Sequence, residues 1–169
     1  MRGVGASVAE YPRGHWTSTR ALRGVIVWAM VRAIQQDETA LPLVVIRWSG
    51  EASDADFAEF FAAQRALLAR RRPYVQIADA SRAKVMSSLQ RRKMAEFSDD
   101  TSAEAARLCK GTAVVISNSL VRGALTAVLW LVKPQYPLVV VATFDEAQAC
   151  VHRWATDSGL VVPLARMGA

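Results

Sequence analysis

Residues 43–72, LVVIRWSGEASDADFAEFFAAQRALLARRR, carry the pattern that decides the fold. The apolar run at residues 43–48 is rich in β-branched side chains, which predicts a strand. Ser53 then predicts a helix N-cap, with carboxylates in the first turn to suit the positive end of the helix dipole. Pro73 stops this helix after three arginines. The stretch is therefore one strand–turn–helix unit.

Four further apolar segments continue the pattern. Residues 31–36 predict a short edge strand, and the roughly six residues that follow it favour an antiparallel hairpin with residues 43–48. Residues 74–78, 112–116 and 138–141 predict three more strands, with amphipathic helices between them. Strands that alternate with helices form a mainly parallel sheet. We therefore expect an α/β fold in the order β-β-α-β-α-β-α-β-α, with a five-stranded sheet and one antiparallel edge strand.

Three of the predicted helices follow the last three strands. Gly111 is expected to break the second helix of the chain before the next strand begins. Ser117-Asn118-Ser119 can cap the third helix, and Thr143 with Glu146 forms a capping-box pattern for the last. The second helix is predicted from an apolar stripe at helical spacing, namely Met86, Leu89, Met94, Phe97, Ala105 and Leu108.

One domain is expected, over residues 30–158. Residues 1–29 show neither a helical nor an alternating period, which predicts a poorly ordered N-terminal arm. Met30 opens the first patterned segment, so we take it as a hypothetical native start. Residues 159–169 are expected to be a C-terminal tail.

The distribution of charge argues against nucleic acid as the main partner. The net charge is +6, but residues 1–29 hold four arginines against one glutamate. The rest of the chain is therefore close to balanced, unlike a domain built to bind phosphates. We do not expect nucleic-acid binding outside the arm.

The cysteines and the hydropathy pattern predict a cytoplasmic protein. Cys109 and Cys150 lie within helical patterns or at their ends, as buried thiols and not as a disulfide framework. No stretch approaches the roughly 20 apolar residues that a membrane span needs. Residues 24–31 form a short apolar run without the cleavage pattern of an export signal.

The sequence contains no recognisable catalytic, metal or cofactor motif. Only His15 and His152 offer an imidazole base, and no nucleophile elbow is present. Two cysteines and two histidines at these separations match no zinc spacing. The carboxylates within residues 96–104 predict a solvated helix face, and no phosphate-binding glycine loop follows a strand. We therefore expect a non-enzymatic protein without metal or cofactor.

Two segments carry a family resemblance. Residues 77–89, IADASRAKVMSSL, are similar to the strand–loop–helix of anti-sigma antagonists, and residues 120–131, LVRGALTAVLWL, are typical of a narrower branch. The chain thus resembles the STAS-like (anti-sigma-factor antagonist-like) superfamily, and within it the bacterial STAS/SEC14-like stand-alone domains. The resemblance covers about residues 31–157 and implies a STAS-like fold.

The resemblance also implies a candidate phosphorylation and partner site. In phosphorylated members a partner kinase modifies a serine at the start of the second helix, a position that Ser87 and Ser88 match. Asp79 and Ser81 lie just upstream. Ser87 stands where the family has an acidic residue, and no glycine follows Ser88. A phosphate at a helix N-terminus would meet unpaired N–H groups, so the position suits the modification.

A second group of polar residues follows the predicted fourth and fifth strands. The carboxyl ends of parallel strands are where such sheets bind ligands, so this group is a candidate anion or small-ligand site. In the alternative interpretation the same residues are helix caps and turn formers. The group consists of Ser117, Asn118, Ser119, Arg122 and Thr143.

Trp130 is a candidate partner surface. It belongs to a run of consecutive apolar residues that cannot all face one sheet from one helix. The indole then either contacts a partner or is covered by a neighbouring helix or the arm.

The function expected from these features is a regulatory, protein-interaction module of the bacterial signalling type. The alternative is a small-molecule or lipid-binding domain with an apolar pocket between helices. A homo-oligomer through the edge strand is left open, although Arg32 and Asp37 are charges of the kind that discourage edge pairing.

Overall fold

The structure is a computed structural model and describes residues 32–119, 122 and 135–163. The predicted arm, most of the predicted third helix and Trp130 lie outside the described residues. The described elements are β1 (Ile34–Asp37), β2 (Leu43–Gly50), α1 (Asp54–Ala69), β3 (Tyr74–Ala83), α2 (Ser88–Leu108), β4 (Cys109–Val115), β5 (Leu138–Val141) and α3 (Phe144–Asp157).

The five strands form one sheet in the order β1-β2-β3-β4-β5. β1 runs antiparallel to β2, and each of the other pairs is parallel. The predicted α/β class and the antiparallel edge strand are therefore confirmed. The edge strand lies later than predicted, since it includes Asp37, which pairs with Val45.

Alternation along the strands gives the sheet two apolar faces. On β2, Leu43 and Val45 face α3, while Val44 and Ile46 face α1. The α3 side is closed by small and branched residues such as Ala147 and Val151, both fully buried. The opposite side is filled by aromatic rings, with Phe57 of α1 buried beneath Trp48. Burial on both faces explains why β2 and β4 read as continuous apolar runs.

Two helices begin at the N-caps that the sequence predicts. The Ser53 hydroxyl accepts a hydrogen bond from Asp56 N at 3.2 Å, and the Asp56 carboxylate accepts one from Ser53 N at 2.8 Å. Thr143 and Glu146 form the same reciprocal pair at the start of α3. Each cap satisfies amide groups that the first turn leaves without a helical partner.

The predicted end of the third strand, at residue 78, is wrong. β3 continues to Ala83 because β2 also continues, to Gly50, and supplies partners along the added length. Arg82 pairs with Ser49, and Lys84 N donates to Gly50 O at 2.8 Å beyond the last pair. Asp79 and Ser81 therefore lie within a strand and not in a loop at its end.

The prediction that Gly111 breaks the second helix is also wrong. α2 ends at Leu108 and β4 begins at the next residue, so Cys109 and Gly111 are strand residues. Cys109 N still donates to Ala105 O, so the helix passes directly into the strand without a loop. Cys109 is the C-cap of α2, so it lies at a helix end as predicted, and its thiol is buried as expected.

α2 covers the sheet less closely than its length suggests. Thr101 is its one buried residue among 21, whereas the 16 residues of α1 include five. Leu89 was expected in the inward stripe, but it is 56% exposed. Met94 and Leu108 do contact the aromatic core. The first turn of α2 thus projects beyond the sheet that its later turns cover.

Candidate functional site

The start of α2 is organised by Ser87. Its hydroxyl accepts a hydrogen bond from Gln90 N at 3.1 Å, and the Gln90 side-chain oxygen accepts one from Ser87 N at 3.0 Å. This reciprocal pair is a capping box, which satisfies two amides at once. Ser87 is therefore the N-cap of α2, and its oxygen is already engaged in holding the helix.

Ser88 differs from its neighbour in position and in hydrogen-bond partner. It is the first residue of α2 and is exposed. Arg91 donates to the Ser88 hydroxyl from Nη2 at 3.1 Å and to Met86 O from Nη1 at 2.6 Å. The Ser88 oxygen thus lies at a helix N-terminus and beside a guanidinium, two features that favour negative charge.

Gln90 ties the helix start to the rest of the domain. Its side-chain amide donates to Ala52 O at 2.9 Å, in the connection between β2 and α1. Lys93, one turn further on, pairs with Asp54 at 3.1 Å at the start of α1. The bond from Lys93 is the main reason that the pKa of the Asp54 carboxyl lies below its ordinary value. The two helix starts are therefore held side by side.

A small hollow separates the α2 start from the ends of β2 and β3. Its volume is about 170 Å³, and Ser87, Gln90, Lys84 and Trp48 are among its walls. A hollow of this size suits a few water molecules or one side chain of a partner more than a whole ligand.

Exposed apolar side chains lie on both sides of the two serines. Val85 is 88% exposed and Leu89 is 56% exposed, on a surface where few large apolar side chains are left open. Arg82 and Lys84 are exposed on the same stretch. We call residues 81–89 together with Arg91 the recognition surface. It combines apolar and basic side chains with the exposed hydroxyls of Ser81, Ser87 and Ser88.

Asp79 does not belong to that helix start. It lies in the sheet, between Arg47 of β2 and Val115 of β4, and its carboxylate accepts a hydrogen bond from Ser81 N at 3.0 Å. Ser81 is exposed near the end of β3. The structure thus joins Ser87 and Ser88 at one helix start and places Asp79 on the strand that leads to them.

The polar residues after β4 and β5 are engaged with their own backbone. Arg122 donates to Ile116 O at 2.9 Å and to Ser117 O at 3.4 Å, and its backbone amide donates to Asn118 O. Thr143 caps α3. Ser117, Asn118 and Ser119 are exposed. These contacts favour the interpretation as turn formers and caps, and an anion site at this edge stays a prediction.

Comparisons with known proteins bear on the fold. No family model matches the sequence, and no curated protein matches it. One solved structure that matches is an uncharacterized protein from Shewanella loihica PV-4, which belongs to the DUF3478 family and has a SpoIIAA-like fold. The two structures superpose with a TM-score of 0.56 at 13% sequence identity, and the match covers 70% of this chain and 92% of that chain. The fold is STAS-like.

A second solved structure is an anti-sigma factor antagonist from Mycobacterium paratuberculosis. It matches with a TM-score of 0.45 at 20% identity and covers 70% of this chain and 94% of that chain. The superposition on the SpoIIAA-like structure confirms the predicted STAS-like resemblance at the level of the fold.

Sequence reasoning missed two residues at the start of α2 in this STAS-like domain. Gln90 follows Ser87 at the capping-box spacing, which is a signal that the sequence itself displays. Arg91 carries no such signal, because its role depends on the side chain folding back over Ser88.

Two further observations concern the described residues. They contain no cluster of three or more histidine, cysteine or acidic side chains that could hold a metal ion. None of their helices is both long enough and apolar enough to span a membrane.

Proposed function

We propose that this chain is a non-enzymatic regulatory module that binds a protein partner through the recognition surface. The observation that supports the proposal best is the exposure of Val85 and Leu89 on either side of Ser87 and Ser88. Two large apolar side chains left open at one helix start are typical of a contact patch. A STAS-like sheet positions them at the end of β3 and the first turn of α2.

The charge of the surface defines the partner. Arg82, Lys84 and Arg91 are exposed there, and within the described part of the chain their one acidic contact is a loose pair of Lys84 with Glu51 at 3.9 Å. A partner with an apolar patch edged by carboxylates would complement these side chains in both shape and charge.

Ser88 is the residue through which phosphorylation would regulate the contact. A phosphate on Ser88 would gain a charge-assisted bond from Arg91 and would face the N–H groups of the first turn. It would also reduce the local charge of Arg82, Lys84 and Arg91 from +3 to about +1, and so weaken the attraction for an acidic partner. The Ser87 oxygen is less suited, since its modification would disturb the cap of α2.

The test compares matched apolar variants in affinity capture of partners by the purified full chain. Val85→Ser with Leu89→Ser should reduce the retained partner by at least about tenfold, because a central apolar contact contributes about 1.4 kcal/mol or more. Val161→Ser is the control, since Val161 is 87% exposed elsewhere on the domain. Ser88→Asp should also weaken retention. Equal capture by all variants would reject the proposed surface.

A further inference from the structure

A larger cavity lies between α2 and the sheet, away from the recognition surface. Its volume is about 440 Å³, within the range of about 300–1,000 Å³ that ligand pockets occupy. It is enclosed by α1, β3, β4 and α2 and by the residues that lead into β5. Protein interiors are normally close-packed, so a space of this size between α2 and the sheet is consistent with the small number of buried residues on α2.

The buried polar side chains of the described residues all line this cavity. They are Gln64 of α1, Thr101 of α2 and Thr112 of β4, each less than 9% exposed. Burying a polar group costs free energy. A wall that served only for packing would therefore be apolar, whereas three polar side chains converge on this cavity. Ligand sites show this combination of apolar walls and a few placed polar groups.

Two of these groups are held in place by one hydrogen bond and keep further hydrogen-bonding capacity. Gln64 donates from Nε2 to Gln36 at 2.8 Å, which leaves the lone pairs of its own side-chain oxygen. Thr101 donates to Phe97 O at 2.8 Å, which leaves the lone pairs of its hydroxyl. Gln76 of β3 also lines the cavity, and its side chain makes no hydrogen bond within the described part of the chain. Its amide can both donate and accept.

The floor of the cavity is electrically neutral. Burial raises the pKa of Tyr136 to about 12, and it raises the pKa of Tyr74 as well. These groups therefore stay protonated at neutral pH. The described lining contains no lysine, arginine or histidine, and its single charge is Asp99, which is exposed. An anionic ligand would find no counter-charge in this site.

Aromatic rings form the remaining wall. Phe97 of α2 stacks on Phe61 with ring centroids 4.6 Å apart and an angle of 16° between the planes, and Phe60 lies 6.4 Å from Phe97. Phe60, Phe97, Tyr74 and Tyr136 all border the space. Rings in these orientations favour a flat apolar body.

We propose that this cavity binds a small uncharged organic molecule with an aromatic body and at least one hydrogen-bonding group. The body packs among Phe60, Phe97 and Tyr136, and the polar group meets the amide of Gln76 and the hydroxyl of Thr101. The site is separate from the recognition surface, so it stands or falls independently of the proposed interaction function.

The probes are indole and indole-3-acetate, which share a ring system and differ in charge. Binding to the purified full chain is measured by calorimetry or by ligand-observed NMR. Indole should bind saturably with a dissociation constant of about 1 mM or tighter, and indole-3-acetate at least about tenfold more weakly. A water-filled cavity only, with no saturable binding of indole, would overturn the proposal, as would equal binding of both probes.

Matched variants of α2 locate the site. Ala105 lines the cavity, whereas Ala103 is exposed on the same helix and does not. Ala105→Phe should abolish indole binding, and Ala103→Phe should leave it unchanged. Should Ala105→Phe unfold the domain, Gln76→Leu serves instead and should weaken indole binding by about tenfold. Wild-type affinity in a folded Ala105→Phe or Gln76→Leu protein would show that indole binds elsewhere.

Discussion

Trp154 of α3 lies directly against Gly111 of β4, so closely that a methyl group on Gly111 would overlap the indole ring. Gly111 is buried, and the ring is held by the remainder of the core on that face of the sheet. The absence of a side chain at residue 111 is thus what allows α3 to approach β4.

Gly111→Ala should therefore destabilise the domain. Replacing glycine by alanine within a strand normally raises the free energy of unfolding by about 0.5–1 kcal/mol. Overpacking a core lowers it by about 1–3 kcal/mol, so the steric effect should be the larger one. Urea unfolding of the purified protein measures the change. The double variant Gly111→Ala with Trp154→Leu should lose less stability than the sum of the two single losses, because leucine leaves the space that the methyl group needs. Strictly additive losses would show that the two residues do not interact.

The two serines at the start of α2 should differ in their effect on stability. Ser87→Ala removes the N-cap and should lower the free energy of unfolding by about 1 kcal/mol. Ser88→Ala removes an exposed hydroxyl whose partner is a solvated arginine, and it should change the free energy of unfolding by less than about 0.5 kcal/mol. Chemical denaturation of both variants checks the difference. Equal losses would contradict the assignment of Ser87 as the cap.

The sequence predicts the local features of this fold well. Ser53 and Thr143 are found as caps because a capping box involves only four consecutive residues, all visible in the sequence. The strands β2 and β4 are found because burial on both faces leaves continuous apolar runs. The STAS-like order of elements follows from these signals together.

What the sequence misses depends on contacts between distant segments. β3 extends to Ala83 because Ser49 and Gly50 of β2 pair with it, and the sequence of β3 alone does not show that. Gly111 belongs to a strand that pairs with β3 and β5, and Trp154 packs on it from α3. The polar cavity beneath α2 is invisible for the same reason, since Gln64, Thr101 and Thr112 come from three separate elements.

The end of α1 offers a stabilising substitution. Arg71 has a φ of 52°, in the left-handed region that costs residues with a Cβ roughly 1–2 kcal/mol. Glycine adopts this conformation freely and is the usual residue just beyond a helix. Arg71→Gly should therefore raise the free energy of unfolding by about 0.5–1 kcal/mol, after the greater entropy of the unfolded glycine chain is subtracted. Arg72→Gly is the control and should not stabilise, since Arg72 has no positive φ.

Asp56 should make the stability of the domain depend on pH in the acid range. Hydrogen bonds from the Ser53 hydroxyl at 2.6 Å and from Ser53 N at 2.8 Å hold the pKa of Asp56 below its ordinary value of 3.8. A carboxyl whose pKa is lower in the folded state stabilises that state above the ordinary pKa. The stabilisation is lost as the pH falls through the folded pKa.

Asp56→Asn should therefore flatten the loss of stability on acidification. Wild-type protein should lose more of its free energy of unfolding between about pH 5 and pH 3 than the variant does, as urea midpoints measured across that range would show. The matched change is Asp99→Asn, because the Asp99 carboxylate makes no hydrogen bond or ion pair within the described ranges. Asp99→Asn should follow the wild-type curve. Only a group whose pKa differs between the folded and unfolded states can change the slope of the free energy of unfolding against pH. If the Asp56→Asn and wild-type curves run parallel, the capping carboxylate does not contribute to acid sensitivity.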